Sequence, residues 1–188
     1  MSLLKEASRL DVAVYTAIAE TPTPRLDRAM RALSQAADYS RLSLAAAAAM
    51  ALAGGRDGRR AAAHGLVAVG TTAAIVNAAV KPLLRRRRPD RLGAAVPAAR
   101  HVSMPDSASF PSGHAAAGFA FAAGASPSLP VATGPLTALA SLVSYSRVHT
   151  GVHYPADVVA GALCGLTLAA GTNAVLQRCR SGRRPSWL

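Results

Sequence analysis

The chain has 188 residues, 51% of them hydrophobic and only 16% charged, with a formal net charge of +12. Soluble domains carry about 25% charged residues, and here a mean hydropathy of +0.25 goes with long uncharged stretches, so a soluble nucleic-acid binder is a poor fit despite the arginine excess. Aromatic residues make up 4%, which leaves little ring surface on which bases could stack.

Residues 3–19 place Leu3, Ala7, Leu10, Val14, Ala17 and Ile18 at helical spacing, interrupted by Lys5, Glu6, Arg9 and Asp11. This predicts an amphipathic helix lying on a membrane or on other helices. Glu6, Asp11 and Glu20 argue against a cleavable signal peptide. Thr21-Pro22-Thr23-Pro24 breaks the helix, and residues 26–37 form a second amphipathic stretch with Leu26, Met30, Leu33 and Ala37 on one side. Residues 42–54 are the first strongly apolar run, shorter than the roughly 20 residues a span needs; Tyr39 and Arg41 are placed to extend it by snorkelling.

After the basic turn Arg56-Asp57-Gly58-Arg59-Arg60, residues 61–80 are a better span. Residues 107–146 hold two apolar arms divided by Ser126-Pro127-Ser128-Leu129-Pro130, a helical hairpin. Residues 155–175 form the last span, followed by a tail with Arg178, Arg180, Arg183 and Arg184. The expected fold is all-α: a membrane-embedded bundle of five transmembrane helices, or six if an N-terminal stretch inserts. Its divisions are amphipathic helices over 1–37, the bundle over 38–178 and a basic tail over 179–188. Cys164 and Cys179 read as unpaired thiols, and no Cys/His spacing suits zinc.

Ionisable groups near membrane depth are expensive and mark function, and three clusters stand out. Lys81 and Arg88-Pro89 lie where a long span ends; on a continuing helix they share a face, with Pro82 as a kink. The cluster reads either as a lipid-interface anchor or as a phosphate site. Arg85, Arg86 and Arg87 either attract anionic head groups or anchor the helix. In Pro111-Ser112-Gly113-His114, Ser112 is a good N-cap and the following N–H groups suit an anion. A histidine at that positive helix end is poor for stability but apt as a proton donor to a bound phosphate. In the third cluster, Arg147 precedes His153, and Asp157 falls four residues later in the first turn of a helix opened by Pro155. Asp157 either complements the helix dipole or fixes the tautomer of His153 so that its other nitrogen attacks. His149 is given no role beyond structure. In an antiparallel bundle all three clusters fall on one membrane face, assembling cations, an anion nest, a nucleophile and an acid, which is what phosphoryl transfer needs.

In these residues the chain resembles the type 2 phosphatidic acid phosphatase superfamily, the lipid phosphate phosphatases related to vanadium haloperoxidases. The family pattern reads here as Lys81 to Arg88-Pro89, Pro111 to His114, and Ser146-Arg147 with His153 and Asp157, over about half the chain. The resemblance implies that His153 attacks phosphorus to form a phosphohistidine, that Asp157 orients it, and that His114 protonates the leaving oxygen and then activates water. Lys81, Arg88, Ser112, Gly113 and Arg147 hold the phosphate oxygens, with no metal and no cofactor. The implied partners are a lipid phosphate substrate and the bilayer of the plasma membrane, with no nucleic acid. The implied substrates are polyprenyl-linked phosphates such as decaprenyl-phosphoryl-5-phosphoribose, phosphatidic acid or phosphatidylglycerol phosphate. The rival readings are a haloperoxidase-like or phosphotransferase use of the same site, and a non-catalytic membrane protein that binds anionic lipids through its arginines. Basic residues at both ends of the spans leave the positive-inside rule without a clean application.

Overall fold

Turn residues cut the chain where its pattern of prolines and glycines expects. The computed structural model describes residues 3–181, all-helical with no strand among them. Helix α1 (Leu3–Glu20) stops short of Pro22, and α2 (Pro24–Ala36) carries its proline in the first turn, where a missing N–H costs nothing. A short 3-10 turn, Asp38–Ser40, leads to α3 (Arg41–Ala53), and α4 (Gly55–Ile75) folds back against it. Helix α4 runs through a π turn, Val76–Val80, into the short α5 (Lys81–Leu84). A wider turn tolerates the N–H that Pro82 lacks and re-aims the residues that follow, a common device beside functional sites.

Lys81 and Arg88 do not share a helix face, contrary to the sequence expectation. Arg85 takes a left-handed conformation (φ 33°), which ends α5, and Arg88 leaves an irregular segment. The chain then crosses a loop before α6 (Gly113–Ala125), α7 (Thr133–His149) and α8 (Pro155–Ser181). Helix α8 continues past the expected stop at Val175, because no proline or glycine interrupts residues 175–181. Arg183 and Arg184 of the basic tail lie outside the described residues.

Helix α6 sits in the middle, packed by α4, α7 and α8. Its buried face is mostly alanine (Ala115, Ala116, Ala120 and Ala125), so backbones approach closely. The closest approach is to α8: a Cβ on Gly161 would meet the Ser112 carbonyl, and one on Gly165 the Ala116 carbonyl. That contact holds the start of α6 against the first turns of α8. Phe121 is the one large side chain in the α6 core, packed with Ala47, Ala62 and Val69. Helix α1 lies on α7 and α8, and α2 on α7, where Tyr15 and Ala19 meet Val96 and Val148.

Two stretches, Gly55–Leu84 and Pro155–Cys179, are long and apolar enough to cross a membrane. Only 22% and 17% of their most apolar windows are buried, so most of those apolar side chains point outward. Helices α3 and α6 have 13 residues each, about 20 Å against a hydrocarbon core of about 30 Å. Among the described residues, then, two helices meet the length and composition of a full span, against the five or six expected from sequence.

Candidate active site

Backbone geometry at two helix starts brings the sequence clusters together. At α6, the Ser112 hydroxyl accepts from the Ala115 N–H (3.4 Å), while the Ser112 N–H donates to the Asp157 carbonyl (2.8 Å). The Pro-Ser-Gly-His turn is thereby tied to the first turn of α8. Asp157 reaches back to accept from the Tyr154 N–H (2.9 Å), closing a capping arrangement at the start of α8. Between α7 and α8 the chain reverses at Gly151, whose φ of +72° suits glycine. The Val152 and His153 N–H groups both donate to the Arg147 carbonyl, so His153 is fixed to the end of α7 as well.

His153 is 2% exposed. Its Nδ1 lies 3.4 Å from Asp157 Oδ2, and its Nε2 accepts from the Arg88 guanidinium at 3.2 Å. This pairing puts the ring proton on Nδ1 and a lone pair on Nε2. Burial pushes the His153 pKa down to about 4; the charges of Arg88 and Arg147 act the same way, against the hydrogen bond and charge of Asp157. The imidazole is neutral at physiological pH.

Arg88 also donates to the carbonyls of Ser107 (3.0 Å) and Val152 (2.8 Å), and Lys81 Nζ donates to Ser107 Oγ (3.2 Å). Lys81, Arg88, Ser107, Gly113, His114 and His153 line the polar head of a cavity of about 280 Å³. The cavity continues between α3, α4, α6 and α7, where Ala46, Val76, Phe121, Leu136, Ala140 and Val143 make it apolar.

Arg147 stands apart from this lining. It is buried, and it donates to Ser34 Oγ (2.7 Å) and approaches Asp38 Oδ1 (3.5 Å), while its Nε has no hydrogen-bond partner. The same Asp38 oxygen lies 3.1 Å from His114 Nε2. One carboxylate thus joins the expected acid to an expected phosphate ligand.

Sequence reasoning missed several participants. Ser109 Oγ donates to Asp157 Oδ2 and approaches His153 Nδ1 (3.4 Å). Arg86 is neither a lipid attractor nor a simple anchor: it donates to Asp157 Oδ1 (2.8 Å) and Asp11 Oδ2 (2.6 Å). Away from the cavity, Asp27 Oδ1 accepts from buried Arg100 (2.8 Å) and pairs with His149 Nε2 (2.9 Å), which gives His149 its structural place. The available signal was scarcity: the chain has nine acidic residues against 21 lysines and arginines, so an acid in an amphipathic helix had cations to answer.

Residues 61–181 match the PAP2 superfamily. The chain is 36% identical over 166 residues to the decaprenylphosphoryl-5-phosphoribose phosphatase of Mycolicibacterium smegmatis, covering 84% of each chain. It is 39% identical over 100 residues to the enzyme of that name in Mycobacterium tuberculosis, covering 51% of each, so this match spans about half the relative's length. Its fold is similar to that of a transmembrane PAP2 type phosphatidylglycerolphosphate phosphatase from Bacillus subtilis (TM-score 0.67, 24% identity, 92% of this chain and 87% of that one). It is also similar to Aquifex aeolicus LpxE (TM-score 0.69, 23% identity, 88% of this chain and 95% of that one). The matched segment runs from within α4 to the end of α8 and holds the three sequence clusters that carry Lys81 and Arg88, His114, and His153, and on that match the chain belongs to the PAP2 superfamily.

Proposed function

We propose that the chain is a multi-pass membrane phosphatase that removes phosphate from a lipid-linked phosphomonoester through a phosphohistidine. The observation that carries this is His153, held neutral with Nε2 at the cationic head of a cavity whose other end is apolar. The substrate phosphate lies between Lys81, Arg88, Arg147 and the Ser112–Gly113 turn, and the lipid follows the apolar part. Nε2 of His153 attacks phosphorus; the P–O bond to the leaving alcohol breaks, and that oxygen takes its proton from His114. Water then gives a proton to His114 and attacks the phosphohistidine, releasing inorganic phosphate and restoring Nε2. Asp157 holds Nδ1 throughout. Lys81 and Arg88 supply the charge that a divalent metal supplies elsewhere.

The named relatives favour a polyprenyl-phosphoryl-5-phosphoribose over phosphatidic acid or phosphatidylglycerol phosphate as substrate. Helices α4–α5 and α8 cross the bilayer, and α3, α6 and α7 complete the bundle around the site.

The test is phosphate release from these three lipids by detergent-purified protein, with and without EDTA. Wild type is expected to release phosphate with EDTA present and to trap acid-labile label on His153. His153→Ala is expected to do neither. Turnover by the folded His153→Ala protein defeats the mechanism.

A further inference from the structure

Of the four consecutive arginines, Arg86 alone meets carboxylates among the described residues, and it meets two. NH1 takes Asp157 Oδ1 at 2.8 Å, and NH2 takes Asp11 Oδ2 on α1 at 2.6 Å. The other oxygen of Asp11 accepts from the Ala156 N–H at 2.7 Å, so a residue some 145 positions away caps the helix that carries Asp157. The Arg86 guanidinium also stacks on Tyr154 (4.2 Å), and Tyr154 packs on Tyr15 of α1 (ring centroids 5.3 Å). Its main chain contributes too: the Arg86 carbonyl accepts from the Ser109 N–H (2.9 Å), and the Ser109 hydroxyl donates to Asp157 Oδ2.

Asp157 is fully buried, so its two oxygens are fixed by these few donors. Oδ2 serves Ser109, the Tyr154 N–H and His153; Oδ1 is held by Arg86. Without Arg86, Oδ1 loses its charged donor and only the bonds at Oδ2 oppose rotation of the carboxylate away from His153. A fork with two fixed directions is what a guanidinium offers and an ammonium does not.

We infer that Arg86 and Asp11 are positioning residues for the Asp157–His153 pair, and that helix α1, which lies outside the family match, is thereby part of the site. This rests on the phosphohistidine reading for its effect on turnover, but the geometry it claims is separate from that reading. Arg86 acts through Asp157 and not on the phosphate.

The test combines turnover with an independent probe. Arg86→Gln is expected to lower kcat roughly 10- to 100-fold, the scale of a small misplacement of reacting groups, with KM within about twofold. Arg86→Lys recovers part of the loss, and Asp11→Asn shows a smaller loss of the same kind. In an Asp157→Asn background Arg86→Gln costs less than about twofold more, since both act on one unit. A merely structural role would lower the folded yield in either background and leave kcat of the folded fraction intact.

The independent probe is the His153 ring titration followed by NMR of histidine-labelled protein in micelles. Arg88, Arg147, His114 and Asp157 face that ring and are unchanged in Arg86→Gln. An Asp157 carboxylate turned away from Nδ1 gives up the hydrogen bond that favours the imidazolium, so the midpoint is expected to fall by roughly half a unit or more, in the same direction as in Asp157→Asn. Absence of phosphate release by wild type would defeat the functional reading and leave this probe decisive. A wild-type kcat in Arg86→Gln, or an unmoved His153 midpoint, overturns the inference.

Discussion

Acidification gives the sharpest check on the nucleophile. A free imidazole with a pKa near 6.5 is only about 3% neutral at pH 5, whereas His153, pushed down to about 4 by burial and by Arg88 and Arg147, stays roughly nine-tenths neutral there. The difference of about 2.5 units corresponds to about 3 kcal/mol in favour of the neutral ring. The acid limb of kcat, measured for phosphate release at saturating short-chain phosphomonoester in detergent so that the free substrate's own second ionisation at about pH 6 does not enter, is therefore expected near pH 4 and not near 6.5. Two substitutions are expected to move that limb in opposite directions. Arg88→Gln removes a cation and shifts it to higher pH; Asp157→Asn removes the acceptor that favours the imidazolium and shifts it to lower pH. The same shift bears on stability. Between about pH 6.5 and 4 the unfolded chain takes up a proton that folded His153 refuses, so stability falls as pH drops through that window and is fully present above it. A wild-type acid limb at 6.5, or both substitutions moving it the same way, refutes the reasoning.

Asp38→Asn removes a negative charge that lies on both His114 and Arg147; vanadate inhibition is expected to tighten roughly three- to tenfold, about 1 kcal/mol, read from inhibition curves with the same short substrate. Arg100→Ala leaves buried Asp27 without its guanidinium, so unfolding in detergent is expected to show a loss of about 3–5 kcal/mol, with kcat of the folded fraction retained. Gly161→Ala drives a methyl group against the Ser112 carbonyl, parting α6 from α8, and a drop in kcat of at least about tenfold is expected; wild-type kcat in that variant would show that the helix contact does not set the distance between His114 and His153.

His114, His153 and Asp157 were legible because each is a rare ionisable residue beside an apolar stretch, at a spacing that a turn or one helical turn converts into proximity. Helix number and order were legible for the same local reasons: prolines, glycines and apolar period. Arg86, Arg100 and Asp38 were not, since their partners lie about 70 or more positions away, and no local pattern says which of many arginines an aspartate meets. Four in a row looked interchangeable, yet the left-handed turn at Arg85 sends Arg86 toward Asp11 and Asp157 and Arg88 toward His153. The same turn undid the expectation that Lys81 and Arg88 share a helix face: they meet through Ser107 instead.

These pairings divide the arginines by charge balance. Arg86, Arg100 and Arg147 each have a carboxylate within 3.5 Å, and three of the acids that answer them, Asp11, Asp27 and Asp38, come from the N-terminal residues before α3. A buried guanidinium needs such a partner, because an isolated charge there costs several kcal/mol. Lys81 and Arg88 have none among the described residues: their bonds go to hydroxyl and carbonyl oxygens and a neutral imidazole. They line the cavity with about two positive charges left over, which matches a phosphate dianion. The N-terminal segment thus neutralises Arg86, Arg100 and Arg147 and leaves Lys81 and Arg88 unneutralised at the cavity head. By this reasoning a new carboxylate at Ser107 would close the site as surely as removing Arg88.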